Sequence, residues 1–294
     1  MNLQELYTRT RVSFDPALKH DQFRLNGCEF EGVALKRVSD FLDYVRQMAG
    51  ITLYASVESH NNFPMGTGIA SSASGFAALS LAASEAAGLN LDESELSRLA
   101  RIGSGSACRS IPPGFVEWQA GSTDQDSYAH SIAPVEHWDL VDCIAVVSQE
   151  EKPISSSDGH LLAGTSILQR TRVSDAPNRL ERCRKAILLR DFNALAEVVE
   201  QDSNLMHAVM LTSSPTLLFW EPATVTIMQA VQSWRKTGLP VCYTIDAGPN
   251  VHVICSSDSS QTIADNLGRL PGVLKLLISH PGGSARLENN HSLT

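Results

Sequence analysis

The chain has 294 residues, of which 43% are hydrophobic and 19% are charged, and its formal net charge is -9. This balance excludes a disordered chain, and the acidic excess argues against nucleic acid or an anionic membrane as the main partner. No apolar run approaches the roughly 20 residues that span a bilayer, and the first residues lack the apolar core of a signal peptide. We therefore expect a soluble cytoplasmic protein.

Two strands and one helix are predicted in the first sixty residues. Residues 8–14 and 51–59 are rich in residues that favour strands. Between them, residues 35–48 carry apolar positions at the spacing of one helix face. Those positions are Val38, Phe41, Leu42 and Val45.

Two further helices are predicted after the polar loop that begins at Asn61. The first has the apolar stripe Phe76, Leu79, Ala83 and Ala86, and Gly88 is a natural end. The second begins with a capping box, in which Asp92 caps the helix, Glu95 returns the bond, and Leu91 packs on Leu96.

The second half mixes helices and strands without strict alternation. Residues 142–148 indicate a buried strand, residues 161–211 two or three helices, and residues 241–257 two strands around a tight turn. Six cysteines are scattered singly without the spacing of a zinc site, which predicts reduced thiols. These patterns favour an α+β architecture over a doubly wound one.

The segment PMGTGIASS, residues 64–72, lies where a helix is predicted to begin. A helix N-terminus attracts phosphate through its unpaired N–H groups, and glycine lets the backbone approach the oxygens. Serine hydroxyls add donors and can bind a Mg²⁺ ion that bridges phosphates. The segment matches neither the Walker motif nor the dinucleotide-binding glycine motif. The alternative interpretation is a helix cap of small residues that serves packing.

The segment SGSACRS, residues 104–110, places hydroxyls beside Arg109. This combination suits an oxyanion, because a guanidinium grips a carboxylate or phosphate through two parallel hydrogen bonds. A nucleophilic Cys108, activated by the arginine, is an alternative that lacks a nearby histidine base. The other alternative is a surface loop with a solvated arginine.

The segment DAGPN, residues 246–250, sets an aspartate in a rigid turn after a strand. Such a position suits a carboxylate that must meet a substrate hydroxyl. An Asx turn is the alternative, since aspartate is common in turns that contain glycine and proline.

Together, NNFPMGTGIASSASGFAAL, ARIGSGSACRSIPPGFVEW and YTIDAGPNV closely resemble the mevalonate diphosphate decarboxylases of the GHMP kinase superfamily. The resemblance covers nearly the whole chain. It implies a two-lobed α+β GHMP-kinase-like fold with the active site in the cleft between the lobes. Residues 1–150 would form a ribosomal protein S5 domain 2-like N-terminal lobe, and residues 151–294 an α/β sandwich C-terminal lobe.

The resemblance also implies a set of site residues. ATP would be bound by Pro64, Gly66, Gly68, Ile69, Ala70, Ser71, Ser72, Ser155 and Ser156. Ser71 and Ser72 would lie closest to the phosphates and to Mg²⁺. The substrate would be held by Ser104, Gly105, Ser106 and Arg109, with Arg109 on the carboxylate. Asp246 would face the tertiary hydroxyl. Lys152, Asn204 and His207 also match family segments, and for the last two a structural role is an equal alternative.

The activity implied is the ATP-dependent decarboxylation of mevalonate 5-diphosphate to isopentenyl diphosphate by a cytoplasmic homodimer. Phosphorylation of the tertiary hydroxyl would precede loss of phosphate and carbon dioxide, because phosphate leaves far more readily than hydroxide. Alternatives are a mevalonate 5-phosphate decarboxylase that yields isopentenyl phosphate, a plain kinase, and a truncated non-catalytic relative.

Two departures from the family pattern affect these expectations. Relatives carry an additional amino-terminal segment of a few dozen residues with a lysine-tyrosine motif, so we expect Met1 to be an internal methionine of a longer protein. Pro112 and Pro113 also differ from the residues usual there, which changes the expected shape of that loop and not its role.

Overall fold

The computed structural model describes residues 1–63, 71–150 and 156–288, with side chains at all of these except 156–158. The chain divides into two compact units, one of residues 1–63, 71–135 and 282–288 and one of residues 136–150 and 156–281. Within the described ranges, no helix has both the length and the apolarity needed to cross a membrane.

The first unit contains a four-stranded sheet and three α-helices. Its strands are β1 (Thr8–Asp15), β2 (Gln22–Leu25), β3 (Cys28–Phe30), β4 (Tyr54–Asn61), β5 (Phe115–Trp118) and β6 (Ala129–Ala133). Its helices are α1 (Gly32–Ala49), α2 (Ser71–Ala86), α3 (Glu93–Gly103) and a short 3₁₀ helix (Gly105–Ser110). The sheet order is β1-β4-β2-β3, in which β2 runs parallel to β4, while β5 and β6 form a separate pair.

The predicted helix faces of the first unit form its core. Phe41, Leu42 and Val45 of α1 are buried together with Phe76 of α2 and Leu99 of α3. The capping box of α3 is confirmed, since Asp92 accepts from the Glu95 amide at 2.8 Å. The prediction was wrong at Ala86, which is exposed, because the small buried side chains of Ser80 and Ser84 extend the packed face of α2 instead.

The second unit contains an antiparallel sheet in the order β10-β7-β9-β8. Its strands are β7 (Leu140–Val146), β8 (Val241–Thr244), β9 (Val251–Ser256) and β10 (Lys275–Ser279). Its helices are α4 (Ser156–Ala163), α5 (Gln169–Leu189), α6 (Phe192–Leu211), α7 (Pro222–Lys236) and α8 (Ser257–Gly268), and a 3₁₀ turn spans Val135–His137.

Burial is most complete at β7, where all seven residues are inaccessible to solvent. One face of the sheet packs on α7 and α8 through Ile227, Val231, Ile263 and Leu267. The predicted strand-turn-strand over residues 241–257 is confirmed, and the mixture of helices with two antiparallel-rich sheets confirms the α+β prediction.

Candidate active site

The serine-rich start of α2 and the segment after α3 lie side by side in the first unit. The Ser72 and Ser104 hydroxyl oxygens are 3.3 Å apart, although 32 positions separate them in the chain. Ser72 is exposed and Ser104 is half-buried. The structure thus places a residue predicted to bind ATP next to one predicted to bind the substrate.

Three side chains fix the junction between α3 and Ser104. The ring of Phe76 packs against Gly103, the last residue of α3, and meets the ring of Phe41 edge-on at 5.5 Å. The Arg37 guanidinium lies over the Phe76 ring at 4.6 Å and donates to the Gly103 carbonyl at 2.8 Å. Because Phe76 belongs to α2, this packing ties the two predicted binding segments to one core. Sequence reasoning did not single out Arg37 or Gly103.

Replacing Gly103 with alanine is expected to destabilise the protein by about 1–3 kcal/mol, the usual cost of overpacking a core. A Cβ atom at Gly103 would overlap the Phe76 ring, which is held by its neighbours. Thermal unfolding measures the change. Gly75→Ala is the matched control, since a Cβ atom there meets nothing within 4 Å and alanine favours the helix. Equal melting temperatures for the two variants would contradict this account.

The 3₁₀ helix buries one side and exposes the other. Ala107 and Cys108 are fully buried, and the Ser97 hydroxyl anchors the segment by donating to the Cys108 carbonyl at 3.1 Å and accepting from the Ala129 amide at 2.8 Å. Arg109 is exposed, with its guanidinium carbon 6.0 Å from the centre of the Trp118 ring. Among the residues that the structure describes, Arg109 forms no ion pair, so its charge is available to a ligand.

Cys108 has the environment of a structural thiol. Burial raises the pKa of the Cys108 thiol despite the neighbouring Arg109, and its sulfur donates to the Gly105 carbonyl at 3.0 Å. A protonated, buried thiol is a poor nucleophile. These contacts disfavour the alternative in which Cys108 attacks a substrate.

Asp246 lies in the second unit, in the turn between β8 and β9. Its side chain is exposed and accepts no hydrogen bond from the described part of the chain. The turn is held at the residues that follow Asp246: Thr224 of α7 donates to the Pro249 carbonyl at 2.6 Å, and the Asn250 side chain accepts from the Val147 and Ser148 amides at 2.8 and 3.1 Å. An exposed carboxylate on an ordered turn can meet a ligand.

Two histidines near Asp246 have opposite charge states. Burial lowers the pKa of His207 to about 4, although its bond to the Ile245 carbonyl and the Asp246 charge act in the other direction. Burial acts to lower the pKa of His252, but the negative charge of the buried Asp142, the 2.7 Å bond to its carboxylate and the Asp246 charge together raise this pKa to about 9. At neutral pH, His207 is therefore neutral and His252 is charged.

The stability of the second unit is expected to peak near pH 6.5, the reference value for histidine. Below pH 6.5, His207 binds a proton in the unfolded state but not in the folded state, so the free energy of unfolding decreases towards pH 4. Above pH 6.5, folded His252 retains a proton that the unfolded state releases, so the stability present below pH 6.5 is lost towards pH 9. Each limb should span about 3 kcal/mol.

Urea unfolding across this pH range, followed by tryptophan fluorescence, tests the prediction, since Trp138, Trp220 and Trp234 lie in this unit. His252→Gln should remove the alkaline limb and keep the acid one. A stability that does not change between pH 6.5 and 9 would contradict the assignment.

Several predicted site residues lie outside the described residues. These are Pro64, Gly66, Gly68, Ile69, Ala70, Lys152 and Ser155, while Ser156 is described only as the first residue of α4. Their roles stay predictions. Of the rest, Ser71, Ser72, Ser104, Gly105, Ser106 and Arg109 belong to the first unit, and Asp246 belongs to the second.

Comparisons with known proteins identify the family. Residues 1–129 match the model of the diphosphomevalonate decarboxylase-like N-terminal domain, and residues 143–274 match that of the mevalonate 5-diphosphate decarboxylase C-terminal domain. The diphosphomevalonate decarboxylase of Candida albicans is 37% identical over 92% of this chain and 80% of its own length. The chain belongs to the diphosphomevalonate decarboxylase family.

Other members and neighbours of the diphosphomevalonate decarboxylase family agree with this result. The solved complex of MDDEF with MVAPP, AMPPCP and magnesium is 37% identical and matches with a TM-score of 0.89 over 96% of this chain and 87% of its own. The phosphomevalonate decarboxylase of Haloferax volcanii is 32% identical over 84% of this chain and 76% of its own length. The resemblance and the GHMP-kinase-like fold predicted from the motifs are confirmed.

Proposed function

We propose that this chain catalyses the ATP-dependent decarboxylation of mevalonate 5-diphosphate to isopentenyl diphosphate. The observation that carries the proposal, in a member of this family, is the 3.3 Å approach of the Ser72 and Ser104 hydroxyls. The exposed Arg109 lies on the 3₁₀ helix that begins directly after Ser104. Donors for phosphate and a cation for a carboxylate thus lie close together, as a substrate with both groups requires.

Ser71 and Ser72 at the start of α2 fit the phosphates of ATP and the Mg²⁺ that accompanies them. Their hydroxyl oxygens are hard ligands of the kind that Mg²⁺ accepts, and phosphate oxygens supply the charge that serine lacks. When bound, Mg²⁺ neutralises charge on the transferring phosphoryl group. The helix dipole of α2 acts in the same direction, since its positive end faces the phosphates.

Arg109 holds the substrate carboxylate, and Ser104, Gly105 and Ser106 hold the rest of the substrate. The guanidinium offers two parallel N–H bonds, which fix the plane of the carboxylate. This contact orients the bond that later breaks, between the carboxylate carbon and its neighbour.

Asp246 orients the tertiary hydroxyl and accepts its proton as the hydroxyl oxygen attacks the γ-phosphorus of ATP. The bond from that phosphorus to ADP breaks. The new phosphate then leaves with its bonding electrons, and the electron pair of the bond to the carboxylate forms the alkene while carbon dioxide departs. Phosphorylation makes the last step possible, because hydroxide is a very poor leaving group.

A second candidate uses mevalonate 5-phosphate and yields isopentenyl phosphate. The observation that favours it is the 32% identity with the Haloferax volcanii phosphomevalonate decarboxylase over most of both chains. Both reactions use the same hydroxyl and carboxylate chemistry, so Asp246 and Arg109 serve either one.

The test supplies ATP and Mg²⁺ with mevalonate, its 5-phosphate and its 5-diphosphate in separate assays, and measures carbon dioxide and ADP. The proposal expects both products in equal amounts, with the highest kcat/KM for the diphosphate. Preference for the monophosphate would establish the second candidate. ADP without carbon dioxide would indicate a kinase, and neither product would indicate a non-catalytic relative.

We further propose a cytoplasmic homodimer whose lobes comprise residues 1–150 and 151–294. Six free cysteines support the compartment, since thiols stay reduced in the cytoplasm. The dimer rests on the family resemblance, and light scattering of the purified protein tests it.

A further inference from the structure

The edge strand β8 is covered by a row of polar side chains from α6. The row comprises Glu200, Ser203, Asn204 and His207, and we call it the α6 seam. Its members follow the spacing i, i+3, i+4, i+7, so they share one face of the helix. On its other edge β8 pairs with β9, so among the described residues one side of its backbone has no partner strand.

The α6 seam supplies the hydrogen bonds that a further strand would make. Glu200 accepts from the Tyr243 amide at 3.3 Å, and Asn204 bonds the Tyr243 hydroxyl at 3.1 Å. Buried backbone groups need such partners, since an unpaired one costs about 1–3 kcal/mol. The bonds from Glu200 and Asn204 both reach Tyr243, which lies within β8, and they stabilise the packing of that strand.

Two members of the seam, Ser203 and His207, converge on the backbone of one residue, Ile245. The Ser203 hydroxyl accepts from the Ile245 amide at 3.0 Å and lies 3.3 Å from the Ile245 carbonyl, to which it can donate. His207 bonds the same carbonyl at 3.2 Å, and its ring is held against the Trp220 ring at 4.9 Å between centroids. Ile245 directly precedes Asp246, so these bonds fix the backbone from which the Asp246 side chain projects.

We propose that Ser203 and His207 are positioning residues that hold Asp246 in its reactive orientation. The inference rests on the proposed function, because it assigns Asp246 as the base. The Asp246 carboxylate accepts no side-chain bond from the described residues. Its position therefore depends on how the backbone at Asp246 is held.

The charge state of His207 suits this role. Its low pKa, set by burial, leaves the ring neutral at pH 7 with one N–H group. A carbonyl oxygen only accepts hydrogen bonds, so that hydrogen lies on Nε2 and is donated to Ile245. A neutral ring also adds no positive charge that would pair with Asp246 and draw it away from the substrate.

Three variants test the role. His207→Leu removes the donor and keeps an apolar side chain in the buried site. His207→Gln restores an N–H donor at about the position of Nε2. Tyr243→Phe is the matched control, because it removes a bond of the same seam without touching Ile245. For each we measure kcat, the KM of both substrates, thermal stability, and hydrogen exchange of a peptide that covers residues 245–248.

We expect kcat of His207→Leu to fall about 100-fold with little change in either KM, because a base displaced by 1 Å has this cost. His207→Gln should recover most of that loss. Tyr243→Phe should lose stability but keep kcat within about threefold, since its bond contributes to folding alone. Exchange over residues 245–248 should accelerate in His207→Leu only.

The inference is overturned if His207→Leu keeps its kcat, or if Tyr243→Phe loses as much. It is also overturned if Gln fails to restore turnover in a folded protein. If the unaltered protein itself is inactive, the result contradicts the proposed function and does not bear on the positioning role. The exchange data would then show whether the α6 seam orders the turn for structure alone.

Discussion

The Asp246→Asn variant is expected to lose release of carbon dioxide while it binds ATP analogues nearly as well as the unaltered protein. Asparagine keeps the size of the side chain but cannot take a proton from the tertiary hydroxyl. General-base catalysis contributes about 10²–10⁴-fold, so turnover should fall by at least about 10²-fold. The fold should be unaffected, because the side chain is exposed and makes no hydrogen bond within the described chain.

Asp265→Asn is the matched control for this variant. Asp265 is also exposed, lies on α8 in the same unit, and accepts from the nearby Gln261 at 2.9 Å. It should keep full activity. Normal turnover in Asp246→Asn would remove Asp246 from the mechanism, whereas loss of ATP-analogue binding would show that it acts on the nucleotide.

Replacing Arg109 with lysine or methionine is expected to give the second largest loss. Lysine keeps the charge but not the two parallel N–H bonds, and methionine keeps only the volume. Bonds between charged groups contribute about 1.5–3 kcal/mol each, so loss of both should lower kcat/KM of the methionine variant about 10²–10⁴-fold. The kcat/KM of the lysine variant should lie between those of the unaltered protein and the methionine variant, since lysine still attracts the carboxylate.

The expected pattern for Arg109 includes a raised KM for the acidic substrate and an unchanged KM for ATP. Arg98→Met is the control, because Arg98 belongs to the same unit and, among the described residues, donates only to the Gln125 carbonyl at 3.2 Å. A lysine variant with normal kcat/KM would show that charge alone is sufficient there. If only the KM for ATP changed, the result would indicate that Arg109 binds the nucleotide and not the substrate carboxylate.

Local signals predicted the elements that depend on neighbouring residues. The capping box at Asp92 and the apolar face of α1 were found because the partners are three or four positions apart. Strand β10 was missed, because its five residues become a strand only through pairing with β7, more than a hundred positions away.

The candidate site shows the same division. Ser72, Ser104 and Arg109 lie in sequence motifs, so the resemblance identified them. The residues that support them are distant in sequence: Arg37 reaches Gly103 across 66 positions, and Ser203 reaches Ile245 across 42. His207 was noted as a family match, but no pattern in the sequence could show which peptide it holds.

Asn250 joins two parts of the second unit that the resemblance assigns to different ligands. Its side chain accepts from Val147 and Ser148 and donates to the Ser148 carbonyl at 3.2 Å. Those residues come a few positions before the Lys152–Ser156 segment that the resemblance assigns to the nucleotide, whereas Asn250 ends the turn that carries Asp246. A single side-chain amide therefore links that turn to residues 147–148. An Asn250→Ala protein should consequently show its defect in nucleotide affinity and in turnover together, which separates it from variants at Asp246.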